Sequence, residues 1–535
     1  MSLATRACAV ALALFAEKFF LNGFVNFRAA QAATGLATAV RWTQHFGFRF
    51  VVSFAIALAL FIYVRGDAAL AQANEEARAA PVRFPWLALH AVLLVPIAAV
   101  LYNFYGTHGV HLPFVLLAAA ALALTISSVS ALVLGLAPWP VWRRGVAAVE
   151  NRWLYALGAA LAATVAIVLS QQLWVPTANI TFELVQWVLR PFLPTLQADP
   201  VTRDLFAPNF AVGIDPICSG LEGMGLIIAF CAAWLAFFRD EYRFPRALLL
   251  IPAGVVILFA LNVLRIAALV LIGNAGHPAV AVFGFHSQAG WICFNAVACG
   301  LVFVSRRSRW LNTGAMARVS SATPAATSNP TANYLAPFLL VLAAGMVSRA
   351  TSGRFEIWHA LRLLSGGAAL AFYWPRLRTL DWRFSWRSGA AGVAVFALWL
   401  VAGHFLLAPQ GMPAALAAMS ASSRALWIAG RVATAVLVVP LAEELAYRGY
   451  LLRRLVAADF DSVSFADVGW IPVLVTAVAY GVLSGPLWSA GIAAGIVFAL
   501  LLTRTQRMGE AVAAHAFANA LLCAAVLLGN QWQLW

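Results

Sequence analysis

From Pro245 to Gly273 the chain reads PRALLLIPAGVVILFALNVLRIAALVLIG, an apolar run interrupted by Arg246, Asn262 and Arg265. About 20 residues rising 1.5 Å each cross the hydrocarbon of a bilayer, so this stretch by itself sets the class of protein. Runs of similar make-up recur before it, at Phe46–Val64, Phe84–Tyr102, Pro113–Ala137, Trp153–Trp174 and Ser219–Phe238. Others follow at Ala289–Val304, Tyr334–Val347, Ala390–Leu407, Ala425–Pro440, Ala490–Leu502 and Ala511–Gly529. The 535 residues are 63% hydrophobic and 10% charged, against about 25% charged in soluble chains. Mean hydropathy is +0.86. A chain in lipid must satisfy its backbone hydrogen bonds internally. The expectation is an all-α, polytopic transmembrane helical bundle of roughly 13–16 helices in two membrane domains. The first apolar run, Ala7–Phe15, is followed at once by Glu17 and Lys18 and reads as part of an anchor, not as a cleaved signal.

The net charge of +15 does not point to nucleic acid. Basic residues sit in short clusters beside helix ends, such as Arg143/Arg144, Arg306/Arg307/Arg309 and Arg453/Arg454. That is the pattern that orients helices and faces anionic lipid, so the expected partner is the membrane. Six cysteines (Cys8, Cys218, Cys231, Cys293, Cys299 and Cys523) form no CxxC and lie mostly in apolar runs. Neither a disulfide framework nor a zinc site fits them. The abundance of Ala, and of Arg over Lys, suggests a high-GC bacterium. A small, polar, uncharged stretch from Ser320 to Asn333, SSATPAATSNPTAN, has linker composition and follows the basic stop at Arg306–Arg309. The chain therefore reads as a membrane domain over 1–310, a cytoplasmic flexible linker over 311–333 and a second membrane domain over 334–535. A further polar stretch, Gln197–Phe210, is expected outside the membrane.

Counting depth from the basic cluster Arg239–Arg246 singles out three residues. Cys218 begins the apolar run that ends at this cluster, about 20 helical residues or ~30 Å away. Arg265 lies about 19 residues beyond Arg246 on the next run, again ~28 Å. His286 opens a run that finishes at Arg306–Arg309. All three are expected at the outer, periplasmic face. Their chemistry is complementary: the thiolate is a nucleophile, an apolar setting disfavours it, and a nearby cation restores it. An imidazole can take the thiol proton and return it to a leaving amine, and a guanidinium can hold an oxyanion. Each has a bland reading too: a packing cysteine, a snorkelling arginine, an interfacial histidine. Agreement of the three depths favours chemistry. Glu222, one turn after Cys218, opposes thiolate formation unless it pairs with Arg265.

A second constellation lies nearer the cytoplasmic side. Glu443-Glu444-Leu445-Ala446-Tyr447-Arg448 ends at Arg453/Arg454, and His515-Ala516-Phe517-Ala518-Asn519 follows Arg504 and Arg507. Spacing by four puts Glu444 with Arg448, and His515 with Asn519, on one helix face. A buried Glu/His pair can activate water for peptide hydrolysis. The bland alternative is a self-neutralising i,i+4 pair.

The segments Asp215-Pro216-Ile217-Cys218-Ser219-Gly220-Leu221-Glu222-Gly223, Asn262-Val263-Leu264-Arg265-Ile266 and Gly284-Phe285-His286-Ser287 resemble the exosortase/archaeosortase family over roughly residues 1–310. The resemblance implies that Cys218 is the nucleophile and that Arg265 and His286 complete a triad. It also implies exported protein substrates with a C-terminal sorting tail (a short motif, a membrane helix, a basic end) that is cut at the periplasmic face. The multi-pass chain would then sit in a bacterial cell inner membrane. The motifs of the second half resemble the CAAX-protease and bacteriocin-processing family of intramembrane glutamate proteases over roughly residues 390–530. There the family's FxxxH motif corresponds to Tyr480-Gly481-Val482-Leu483-Ser484, with serine in place of histidine. A hydroxyl can replace an oxyanion donor but not a histidine general acid or metal ligand. The combination is similar to the exosortase E/protease type, associated with VPEID-type sorting tails. No cofactor is required by this chemistry, and Glu443, Glu444 and His515 make an incomplete metal set. Two rival readings stand beside it: a transporter or export scaffold without covalent chemistry, and a catalytic first half joined to a non-catalytic second half.

Overall fold

A computed structural model of the chain describes residues 68–105, 114–313, 329–457 and 459–535, with scattered positions before residue 68. The runs Ala7–Phe15 and Phe46–Val64 and the linker as far as Ser328 fall largely outside them. Among the described residues eight helices are long and apolar enough to cross a membrane, or nine if the bent pair Gln72–Ala79 and Phe84–Val100 is one span. Leu221–Phe237 and Trp470–Val482 are shorter apolar helices. The chain is a polytopic helical bundle. Large apolar side chains such as Leu426, Leu437 and Leu528 point outward, as lipid-facing positions do.

By compactness the chain divides into Met1–Gln172 and Leu173–Trp535. The first unit contains α1 (Ala68–Ala79), α2 (Phe84–Tyr105), α3 (Phe114–Leu136) and α4 (Trp139–Ala148). One of its buried polar groups, His90 on α2, has Nδ1 2.8 Å from Ser128 Oγ on α3 and Nε2 2.7 Å from Glu17. A buried polar side chain paired on both edges avoids the cost of desolvation without a partner. Helix α5 (Arg152–Leu189) contains the boundary between the units.

The second unit begins with the end of α5 and a three-stranded antiparallel meander. Its strands are β1 (Gln197–Asp199), β2 (Asp204–Ala207) and β3 (Phe210–Gly213). The stretch expected outside the membrane is therefore ordered as sheet. Leu205 and Ile214 bury beneath it against Phe182, Val185 and Leu189 of α5. Three helices follow: α6 (Leu221–Phe237), α7 (Leu250–Asn274) and α8 (His286–Arg307). The meander caps the C-terminal end of α7, where the Asn209 N–H donates to Asn274 Oδ1 at 3.0 Å. At the opposite end of α7 the basic loops are tied together, with Arg243 N–H donating to Leu311 O at 2.8 Å and Thr313 N–H to Glu241 O at 2.9 Å.

The rest of this unit comprises α9 (Pro330–Ala350), α10 (Ala360–Leu377), α11 (Trp386–Leu406), α12 (Ala421–Arg454), α13 (Trp470–Val482), α14 (Trp488–Thr505) and α15 (Met508–Gly529). Its core joins Phe338 of α9, Tyr447 and Leu452 of α12, Phe498 and Leu502 of α14, and Ala514 and Ala518 of α15. The small residues of α15 let the backbones approach closely, as membrane helix packing requires. Helix α12 is widened into π turns at Thr434–Val438 and Leu445–Leu451, and another π turn, Val280–Phe285, leads into α8. Such turns free backbone carbonyls and re-aim side chains, often at functional sites.

Candidate functional site

Cys218 lies in a tight 3-10 turn, Pro216–Ser219, just ahead of α6. The apolar run beginning at Ser219 had suggested that the thiol opens the helix. A proline at the first position and Gly220 in the left-handed region, at φ 86°, delay the helix to Leu221. Only glycine adopts that φ readily. The turn is held from α7, where Asn262 Nδ2 donates to Cys218 O at 3.0 Å. Arg265 stands three residues after Asn262 on α7, and His286 is the first residue of α8, directly after a π turn.

The three residues anticipated from depth meet here. Cys218, Arg265 and His286 line one cavity of about 310 Å³, together with Glu222, Asn262 and Cys293. Burial pushes the Cys218 thiol above its ordinary value, the Arg265 charge pulls it down, and Asp215 and Glu222 add to the upward push. Glu222 shares the cavity with Arg265 but, among the described residues, makes no ion pair with it, so its upward push on the thiol stands. Arg265 Nε is buried with no hydrogen-bond partner among the described residues, which leaves the guanidinium free to meet an oxyanion. No hydrogen bond joins the thiol to the imidazole; both face the same space. The part that Asn262 plays in holding the thiol turn appears only in three dimensions.

The second constellation is also assembled. Glu444 and Arg448 are both fully buried at 0% exposure. Arg448 NH1 donates to Glu444 Oε1 at 3.2 Å, and its Nε lies 3.2 Å from Oε2. The latter edge lacks hydrogen-bond geometry and is electrostatic. Arg448 NH2 donates to the Gly495 carbonyl at 3.2 Å, and the guanidinium sits 4.7 Å over the ring of Tyr480. His515 Nδ1 lies 2.9 Å from Glu444 Oε1, which fixes the ring, while its Nε2 is 4.0 Å from Glu443 Oε2 and 3.4 Å from the Tyr480 hydroxyl. The imidazole also stacks on Phe498, with centroids 5.1 Å apart. Glu444 is thus an orienting carboxylate, and Glu443, with a quarter of its side chain exposed, is the accessible one.

Asn519 lines a cavity of about 220 Å³ with His515, and its Nδ2 donates at 2.7 Å to Ala435 O, within the π turn of α12. Ser484, where the family pattern has histidine, back-bonds to its own helix at Tyr480 O, 3.4 Å away. The group that reaches His515 from α13 is instead Tyr480, one turn earlier. Its signal in the sequence was its place as the first residue of the FxxxH-like segment. Among the described residues no group of three His, Cys, Asp or Glu side chains is arranged to hold a metal ion.

A bundle of membrane-spanning helices thus holds a thiol, a guanidinium and an imidazole in one cavity, and a buried Glu–Arg pair whose His515 lines another, an arrangement suited to membrane-embedded proteolysis. Residues 42–304 match the family model described as transmembrane exosortase (Exosortase_EpsH), and residues 425–521 match that of the type II CAAX prenyl endopeptidase Rce1-like family. The two matched regions follow one another along the chain, so an exosortase-type region precedes a region similar to the Rce1-like CAAX proteases. Searches of curated proteins and of solved structures returned no match.

Proposed function

We propose that the exosortase-type part is a cysteine transpeptidase or protease of the bacterial inner membrane that cuts C-terminal sorting tails of exported proteins at the periplasmic face. The observation that carries this reading is the convergence of Cys218, Arg265 and His286, from a turn and two separate helices, on one cavity. His286 takes the Cys218 proton as sulfur attacks the scissile carbonyl carbon. Arg265 holds the oxyanion of the tetrahedral intermediate. As that collapses, the C–N bond breaks and His286 returns the proton to the leaving amine of the tail. The upstream protein remains as a thioester on Cys218, which a water or an acceptor amine resolves, His286 taking that proton in turn. The periplasmic placement is supported by the meander at this end of α7 and by the basic loops at the other.

The Rce1-like part is proposed to hydrolyse a peptide bond within the bundle, toward the cytoplasmic side. Glu443 activates a water that lies between it and His515 Nε2, Glu444 and Arg448 orient the imidazole, and the Tyr480 hydroxyl supplies a further donor. Asn519 holds the π turn of α12 beside this cavity. Ser484 favours a second reading for this part alone, a non-catalytic binding module, because the family's histidine is replaced by a self-bonded hydroxyl.

The test is mass spectrometry of the C-termini of membrane and surface proteins from wild-type and Cys218→Ala cells. Tail-processed C-termini are expected to disappear in the variant. Unchanged C-termini, with the variant present at normal level, would make Cys218 a packing residue and return the export-scaffold reading to the lead. A Glu443→Gln variant that leaves every tail fragment unchanged would select the binding module for the second part.

A further inference from the structure

The cavity that holds His515 and Asn519 is also lined by His359, Arg362 and Arg431, which the hydrolysis described above does not use. Two arginines pair with a single acid here, and a third stands beside them without one. Arg362 donates to Glu356 through both Nε and NH2, each at 2.9 Å, and Arg349 Nε lies 3.6 Å from the same carboxylate. Those bonds hold the Glu356 carboxyl well below its ordinary value even though burial pushes it up, and His359 Nδ1 stands 3.8 Å from its Oε1. Arg431 is left over. Its NH1 is 3.1 Å from His359 Nδ1 and its guanidinium lies 5.4 Å from the Trp535 ring centroid, but among the described residues no carboxylate comes within 4.0 Å. Because a guanidinium has no acceptor, it donates to His359, whose imidazole is therefore neutral at Nδ1. Burial acts on His359 in the same direction, lowering its affinity for a proton.

An arginine within a membrane-spanning helix and without a direct ion pair, here separated from Glu356 by His359, is costly, and such residues mark sites of function. Arg431 lies about 22 residues before Arg453 on α12, or ~33 Å, which puts it at the end of the helix far from the basic pair Arg453/Arg454. That end borders a groove lined by Ser287, Gln288, Arg349, Arg354 and Glu356. Ser287 also lines the Cys218 cavity. The positive potential of Arg349 and Arg354 thus runs from the first cavity toward the second.

We propose that Arg431, steadied by His359, is the binding site for a peptide carboxylate of the substrate that enters the His515 cavity. The inference deepens the function proposed for the Rce1-like part and rests on that part engaging peptides. One unpaired cation matches one monovalent carboxylate, and a guanidinium binds that group bidentately. A phosphate draws on more donors, and the bidentate edge of Arg362, Nε and NH2, is committed to Glu356. The carboxylate can be a chain terminus or an Asp or Glu side chain, and the probes below separate the two.

The experiment uses the full-length protein in phosphatidylcholine nanodiscs and fluorescent leucine-rich peptides of membrane-spanning length. One pair differs only in a free or amidated C-terminus, and a second, amidated pair only in an internal Glu or Gln. Binding is read by anisotropy, and cleavage is followed in parallel. At least one acidic peptide is expected to bind tenfold or more tightly than its neutral partner; the responding pair identifies the carboxylate. Arg431→Gln is expected to abolish the preference while leaving the neutral peptides unaffected, and Arg431→Lys to keep part of it, which excludes misfolding. Equal binding of acid and neutral peptides by the wild type overturns the proposal, as does a preference that survives Arg431→Gln. A preference that appears only in discs containing phosphatidylglycerol assigns Arg431 to a lipid headgroup and overturns it too. Discrimination without any cleavage upholds the carboxylate site and rejects only the hydrolytic role of this part.

Discussion

The substitution Arg448→Met keeps much of the side-chain volume and removes the charge that faces Glu444. Opposite unit charges 3.2 Å apart, the Nε–Oε2 separation here, attract by about 5 kcal/mol at an effective dielectric of about 20. Removing one partner of a buried pair typically costs about 3–5 kcal/mol because the other charge is stranded. Both residues are fully buried, so solvent screening gives no relief, and the upper half of that range is expected. The variant also strands the Gly495 carbonyl and loses the contact with Tyr480. The Glu444→Gln/Arg448→Met double variant leaves no unpaired charge and should recover to within about 2 kcal/mol of the wild type. The assay is reversible SDS unfolding of the purified full-length chain followed by tryptophan fluorescence. A single-variant loss below about 1 kcal/mol, or a double variant as unstable as the single, would show that the pair is not what holds α12 at this point. Since Glu444 also fixes His515, the double variant is expected to be stable and without the peptide hydrolysis proposed for this part, which separates structure from chemistry.

Three further outcomes follow from the same geometry. Arg265→Gln removes the cation that lowers the Cys218 thiol, so the midpoint of iodoacetamide alkylation at Cys218 should move to higher pH; an unmoved midpoint would place the guanidinium out of reach of the sulfur. In Gly290→Ala the new Cβ would lie 2.7 Å from Arg265 NH1, whereas Gly225→Ala meets nothing within 4 Å. Sorting-tail cleavage should therefore fall about tenfold, the equivalent of 1.4 kcal/mol, in the first variant only, with cleavage rates in membranes as the readout. Glu356 titrates lower in the folded chain than its ordinary value of 4.5. Its contribution to stability is thus fully present above that value and lost as pH falls below it. Glu356→Gln should destabilise the chain by about 2 kcal/mol at pH 7 and flatten that acid limb in a thermal melt series from pH 7 to pH 3.

Much of the candidate chemistry was legible because it is written in local signals. Each apolar run carries its own length, and each basic cluster marks its own end, so the depth of Cys218, Arg265 and His286 could be counted along single helices. The i,i+4 spacing that pairs Glu444 with Arg448 is equally local. The same counting failed at the start of α6, since a proline and a left-handed glycine hold Cys218 in a turn before the helix. It also gave Gln197–Phe210 no secondary structure, because three- and four-residue strands bury only a few side chains and leave little periodicity. Arg431 is not legible in the sequence for a different cause: an arginine near a helix end is ordinary there, and only its lack of a direct carboxylate partner makes it conspicuous.

Hydropathy and helical period act within a segment, so the sequence alone determined that this chain spans a membrane as helices and which residues could react. Which helices become neighbours is fixed by side-chain packing between segments far apart in the chain. Tertiary structure alone therefore decided that α7 and α8 bring Arg265 and His286 to the Cys218 turn. It likewise decided that Tyr480, not Ser484, reaches His515, and that Arg349 and Arg362 share the one acid, Glu356, and leave Arg431 without it. The π turns of α12 belong with these, because a backbone carbonyl freed from its own helix is tolerated only where a neighbour such as Asn519 supplies the missing donor.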